Sequence, residues 1–317
     1  MACYHPIPAK QDAHGAPVQL WPPVGSATLE LPCGTCLGCR QDLATQWAHR
    51  AQLEASLYDN NCFLTLTYDD ETDHRGRPHL PEGGHLRPKD LQHFLKRLRR
   101  GLDRQEPAIA STPITTTFEK RLKKGFQGPR QLVTRTQPRV RFLACGEYGD
   151  RSDRPHFHLL LFNCDFTDKK RVAKNLYESD TLKKFWKKGA HRLGELTGAS
   201  ANYVAQYSLK KLVTQGDTHD EHGEVYHPPF IRMSLKPPIG YHWLEQYRAD
   251  LQHGYLIRNA RKQKIPRGIR KQLAKLDPQL AEQAAFAAQA HVKTKHDLRA
   301  AEIIHHSKNQ LFHSRTL

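Results

Sequence analysis

Apolar and polar positions change period several times along the chain, and each change marks an element. Leu43, Trp47, Arg50, Leu53 and Leu57 recur at near-helical spacing, which predicts a helix from Gln41 to about Tyr58. Cys62-Phe-Leu-Thr-Leu-Thr-Tyr68 alternates apolar and β-branched side chains before the acidic turn Asp69-Asp70-Glu71, and this predicts a strand. Pro88 suits the first turn of a helix whose stripe is Leu91, Phe94, Leu95, Leu98 and Leu102. Its other face carries Lys96, Arg97, Arg99 and Arg100, which read either as a solvated surface or as one that meets nucleic acid.

Residues 105–138, with their Thr-rich and Gly-Pro stretches, read as an insertion or a mobile loop. Two further strands, Arg139–Cys145 running into Gly146-Glu-Tyr-Gly149, and His156–Phe162, predict an antiparallel hairpin. Val172, Leu176, Leu182 and Phe185 predict a helix over residues 168–189, and another covers about Ala201–Val213. Residues 1–40 are rich in Pro and Gly and read as an irregular arm.

Composition narrows the function classes. Among 317 residues there are 49 Lys and Arg against 32 Asp and Glu, a net charge of +17, so a polyanionic partner is expected, nucleic acid before an acidic membrane surface. Mean hydropathy is −0.72, and no apolar run approaches the ~20 residues of a bilayer crossing, so a transmembrane protein is excluded. No secretory signal opens the chain, which predicts a reducing cytoplasm without disulfides. Residues 255–317 hold 13 Lys or Arg against 4 acids; eight of these cations fall between Arg258 and Lys275, and Arg258, Arg261, Lys262 and Lys264 are predicted DNA-phosphate contacts on a basic helical extension.

Three constellations carry chemistry. On a strand, His156 and His158 point to one side while Phe157, Leu159 and Leu161 point to the other. If the hairpin forms, Glu147 completes a set of two imidazoles and a carboxylate that suits Mg²⁺ or Mn²⁺ in phosphoryl chemistry; the alternative is a pair of hydrogen-bonded histidines. At ~100° per residue, Tyr203, Tyr207 and Lys210 fall within about 60° of one another. Ala201, Ala205, Leu209 and Leu212 lie opposite, so the helix offers two phenols and an ammonium. Cys33, Cys36 and Cys39 stand at two successive C-x2-C spacings, and Cys3, with His5 and His14 behind it, is the candidate fourth ligand of a structural Zn²⁺; free thiols are the alternative. Cys62, Cys145 and Cys164 read as core residues.

Taken together, these residues resemble the HUH endonucleases, and within them the rolling-circle replication initiation proteins of gokushovirus-like microviruses, which are single-stranded DNA phages. Four stretches carry the likeness: Phe63–Thr67, Gly146–Gly149, Arg154-Pro-His-Phe-His158 and Tyr203–Lys211. The Cys33–Arg40 run and Met233–Gly240 are similar to segments of the same phage proteins, and the resemblance covers roughly residues 30–245. It implies that His156, His158 and Glu147 hold the cation over a phosphate of single-stranded origin DNA. Tyr203 or Tyr207 then attacks to give a 5′-phosphotyrosyl link and a free 3′-hydroxyl for a host polymerase, with a host helicase assisting. Tyr203 and Tyr207 together imply repeated cleavage and joining; Lys210 or Lys211 steadies the phosphate, and Arg154 and Lys211 contact DNA. Leu235, where an arginine is common in relatives, is a departure that bears on DNA contact rather than on chemistry.

The resulting expectation is an α+β protein with a central antiparallel sheet of HUH-like topology and helices on one face of it. Its domains are a Cys-rich arm at 1–40, an endonuclease domain at 41–245 and a basic helical extension at 246–317. The implied activity is a metal-dependent nickase and strand-transferase in the host bacterial cytoplasm, with no small-molecule cofactor. Competing readings are a transposase or relaxase with the same site, or a non-catalytic nucleic-acid-binding protein with a zinc knuckle.

Overall fold

The computed structural model describes residues 3–12, 17–119, 132–149, 152–210, 227–258, 260–288 and 295–314. They form two compact units, one of Met1–Gln46 with Ala249–Leu317 and one of Trp47–Arg248. The N-terminal arm is not irregular. Strands β1 (Ile7–Lys10), β2 (Gln19–Leu20) and β3 (Leu29–Leu31) make a small antiparallel sheet in the order β2-β1-β3. The Pro and Gly residues that suggested an arm punctuate its turns. Helix α1 (Leu37–Ala55) starts four residues before the predicted Gln41.

The larger unit is an α+β structure around an antiparallel sheet. In chain order its first elements are β4 (Asn61–Thr67), α2 (Pro88–Asp103), β5 (Ile109–Ala110), β6 (Pro113–Glu119), β7 (Leu132–Pro138), β8 (Arg141–Tyr148) and β9 (Pro155–Phe162). Then come β10 (Asp165–Phe166), β11 (Lys169–Ala173), β12 (Leu176–Ser179), α3 (Asp180–Phe185), β13 (His191–Glu195), α4 (Gly198–Lys210), β14 (Phe230–Met233) and α5 (Tyr241–Tyr247). Seven of these strands order as β11-β12-β13-β4-β9-β8-β14, so β9 has a neighbour on each side.

Two expectations fail here. Residues 105–138 are not simply a loop: β6 and β7 pair as an antiparallel ribbon. Residues 168–189 are not one helix, because β11 and β12 form a hairpin before the short α3. Asn175 takes the left-handed conformation that such a turn needs, at φ 59. Val172 is consequently 46% exposed rather than buried.

Both faces of the sheet are covered by helices, not one. On the first, Leu64, Leu66, Phe157, Leu159 and Leu161 pack with the α2 stripe of Leu91, Phe94, Leu95, Leu98 and Leu102, and with Trp186. Each such side chain contributes about 1.5–3 kcal/mol of burial. Gly101 allows the close approach of α3, since a Cβ there would lie 2.5 Å from the Phe185 ring. On the second face, Ala201, Val204 and Ala205 of α4 are fully buried, and small side chains let this helix sit close to the strands. The end of α1 lies on the same face, where Glu54 and Arg141 form a fully buried ion pair. Glu54 Oε2 also accepts from the Gly240 N–H at 2.7 Å, and Arg141 Nη2 donates to the Pro237 carbonyl at 2.9 Å.

In the other unit, β15 (Tyr255–Arg258) and β16 (Arg261–Lys264) form a hairpin, followed by α6 (Arg267–Leu276), α7 (Pro278–Ala287) and α8 (Lys295–Ser314). Arg258, Arg261, Lys262 and Lys264 are therefore on a β-hairpin and not on a helix, because Leu256 (buried) and Ile257 (exposed) alternate with period two. Gly254, at φ +77, lets the chain pass α7 where a Cβ would lie 2.7 Å from the Ala284 carbonyl. Among the described residues, no helix is long and apolar enough to cross a membrane.

Candidate metal centre and tyrosine site

Register assembles the first cluster. In the β8–β9 ladder Glu147 pairs with His156 and Cys145 with His158; in the β4–β9 ladder Thr65 pairs with His158. Directly opposed residues share a face of the sheet, so the three expected side chains meet. His156 Nε2 lies 2.7 Å and His158 Nε2 2.8 Å from the same oxygen, Glu147 Oε1. Burial alone would raise the Glu147 carboxyl, but the hydrogen bonds from the two imidazoles outweigh it and hold the group below its ordinary pKa.

The protonation pattern suits a cation. His156 Nδ1 is 3.0 Å from the Arg154 carbonyl, which can only accept, so Nδ1 carries the hydrogen and the neutral ring turns its Nε2 lone pair toward Glu147. His158 Nδ1 is paired with Thr65 Oγ1 at 2.9 Å. Two ring nitrogens converging on one carboxylate oxygen require either imidazolium protons or a metal ion between them. Glu147 Oε2 is buried without a hydrogen-bond partner among the described residues. The orphaned oxygen and the N,N,O donor set fit a divalent cation.

Tyr203 completes the site. Its hydroxyl lies 3.4 Å from His158 Nε2, and its ring meets the His158 ring edge-on with centroids 4.9 Å apart. Phe63 stacks on His158 and meets Tyr203 edge-on, so one aromatic holds both rings. Tyr203 is 41% exposed, leaving its phenol open to solvent. Tyr207 follows on the same helix, but its side chain and that of Lys210 lie outside the described residues, as does all of Lys211. Arg154, expected at DNA, is engaged within the protein: it donates to the Tyr68 carbonyl at 3.0 Å and to both oxygens of Asp70 at 2.9 and 2.8 Å. Sequence reasoning missed Thr65 and Phe63 as orienting residues; the signal was their neighbouring positions on the strand beside the His-x-His.

The second cluster is the cysteine set. The sulfurs of Cys3, Cys33, Cys36 and Cys39 all lie within 4.8 Å of one another, and all are free thiols. Backbone N–H groups point at them: Cys33 N to Cys3 Sγ at 3.2 Å, Cys36 N to Cys33 Sγ at 3.4 Å and Cys39 N to Cys36 Sγ at 3.4 Å. Burial would raise the Cys33 thiol, but N–H donors from Cys36 and Thr35 outweigh it and bring it to about 6; burial pushes Cys39 up. Of the two histidines behind the cluster, His5 is paired with Glu302 at 2.9 Å, and His14 lies outside the described residues. Four converging sulfurs fit a tetrahedral Zn²⁺ site. A third group, Asp69, Glu71 and His79, was not anticipated and sits on a loop in which His79 Nδ1 and Asp69 Oδ1 are 2.6 Å apart.

Fold and side chains thus define an α+β protein with a cation-ready carboxylate–imidazole cluster beside an accessible tyrosine. The family model for the replication-associated protein ORF2 matches residues 113–212. The replication-associated protein VP4 of Bdellovibrio phage phiMH2K is 32% identical over 266 residues, covering 81% of this chain and 72% of that relative. The replication-associated protein ORF2 of Spiroplasma virus 4 is 35% identical over 191 residues, covering 57% and 48%, and ORF4 of Chlamydia phage 1 is 30% identical over 196 residues, covering 59% and 40%. No solved structure matches. The chain belongs to the family of microvirus replication-associated proteins, and its role is in viral replication.

Proposed function

We propose that the protein is a metal-dependent HUH endonuclease that nicks single-stranded DNA at the viral replication origin and rejoins it, initiating and terminating rolling-circle replication. The observation that carries this reading is the Tyr203 hydroxyl, 3.4 Å from His158 Nε2 at the edge of the shared-oxygen cluster. Glu147, His156 and His158 would hold Mg²⁺ or Mn²⁺, which supplies Lewis-acid polarisation of a phosphodiester oxygen. Phe63 and Thr65 orient His158, and the Arg154 carbonyl fixes the tautomer of His156. Tyr203 Oη attacks phosphorus and its proton passes to solvent; the O3′–P bond breaks, leaving a 5′-phosphotyrosyl link and a 3′-hydroxyl for the host polymerase.

Tyr207, one helical turn on, attacks in the closing cycle, and Lys210 or Lys211 steadies the phosphate. The host replication helicase unwinds ahead, and the reaction runs in the cytoplasm of the host cell. The thiol cluster holds a structural Zn²⁺. Incubation with origin-containing single-stranded DNA and Mn²⁺ tests the reading on a denaturing gel. Wild type is expected to give a covalent adduct that Tyr203→Phe lowers by about 10³-fold or more, while Tyr207→Phe retains the first cut. An adduct lost in Tyr207→Phe alone reverses the order of the tyrosines; tight binding with no adduct in wild type favours the non-catalytic reading.

A further inference from the structure

The far end of β8 carries a second cationic site. A groove of about 400 Å³ is lined by Arg99, Arg139, Arg141 and Lys236, by Phe142 and Leu235, and by a single acid, Asp103. Arg141 is spoken for in part by Glu54, yet its buried Nη1 has no hydrogen-bond acceptor among the described residues. Arg139 spends one nitrogen on the Lys236 carbonyl at 3.0 Å. Arg99 is an exposed residue whose guanidinium sits over the Phe142 ring at 5.9 Å, and partial desolvation together with the neighbouring Arg139 charge lowers its pKa. Among the described residues, no ion pair joins Asp103 to these cations. Like charges gathered this closely repel, and an anion between them removes the repulsion. Leu235, 68% exposed, adds an apolar lip.

We propose that this groove is a phosphodiester-binding subsite for single-stranded DNA, with Arg99 and Arg139 as the phosphate ligands and Phe142 and Leu235 as the surface under the adjoining nucleotide. The inference rests on the reading of the protein as one that acts on DNA. Arg141 and Glu147 are six residues apart on β8, so the subsite is roughly 20 Å along the strand from the tyrosine site. It therefore adds affinity and positioning on a flank of the DNA, and no chemistry.

The test is the salt dependence of binding to a single-stranded oligonucleotide, followed by fluorescence anisotropy in EDTA. In Arg99→Gln/Arg139→Gln the slope of log K against log salt is expected to flatten by about 0.7 for each phosphate no longer neutralised, with affinity lower at every salt concentration. The pair Lys183→Gln/Lys187→Gln removes equal charge from exposed positions and is expected to keep the slope. Arg99→Gln alone, at an exposed position, carries the test if the double variant loses its fold. An unchanged slope, or an equal flattening in the lysine pair, overturns the subsite. Adduct formation is scored separately: a normal adduct with an unchanged slope sinks only the groove, and an absent wild-type adduct with a flattened slope sinks only the nuclease reading.

Discussion

Glu54 and Arg141 show how much one residue can hold. The pair is buried, and Glu54 also receives the Gly240 N–H, so truncating the acid leaves a guanidinium uncompensated in the interior. Glu54→Ala is expected to cost about 3–5 kcal/mol, whereas Glu54→Leu with Arg141→Met recovers most of it; urea denaturation of the three proteins checks this. The pair itself was invisible in the sequence, since its members are 87 positions apart and both look like surface residues. The metal trio was visible for the opposite reason. A period of two puts His156 and His158 on one side whatever else the chain does, and hairpin pairing then brings Glu147 opposite. Arg154 was legible as part of a motif but not as a brace, because its partner Asp70 belongs to a distant turn.

At the scale of elements, the pattern was readable where one period persisted and misleading where two elements shared an apolar spacing. Val172, Leu176, Leu182 and Phe185 mimic a helical stripe, yet the first two stand on a hairpin broken at Asn175. The apolar stripe of α2 had no such rival and formed as expected. That helix also carries a glycine where alanine would be the better helix former by about 1 kcal/mol. Phe185 occupies the space, so Gly101→Ala is expected to lose about 1–3 kcal/mol to overpacking, a net destabilisation of up to about 2 kcal/mol. A raised melting temperature for Gly101→Ala would contradict the close approach of α2 and α3. Register matters equally for the site, since a one-residue slip of β9 against β8 would send both imidazoles to the α2 face.

For the molecule as a whole, the charge of +17 announced a polyanion but gave no location for it. The cysteine cluster is the feature whose content is simplest to measure. One Zn²⁺ per chain is expected by atomic absorption in protein purified without chelator, and none in Cys33→Ser/Cys36→Ser; chelation should lower the thermal transition of wild type. Wild-type protein that is zinc-free yet melts unchanged would leave four reduced thiols and no ion. The division of the chain carries a consequence for biosynthesis. The unit with the imidazoles is one uninterrupted stretch, while the unit with the thiols draws on chain from before it and after it. A ribosome therefore delivers every residue of the first while the second still lacks its later half, so the nicking centre can mature during translation and the cysteine-bearing body is the last to close.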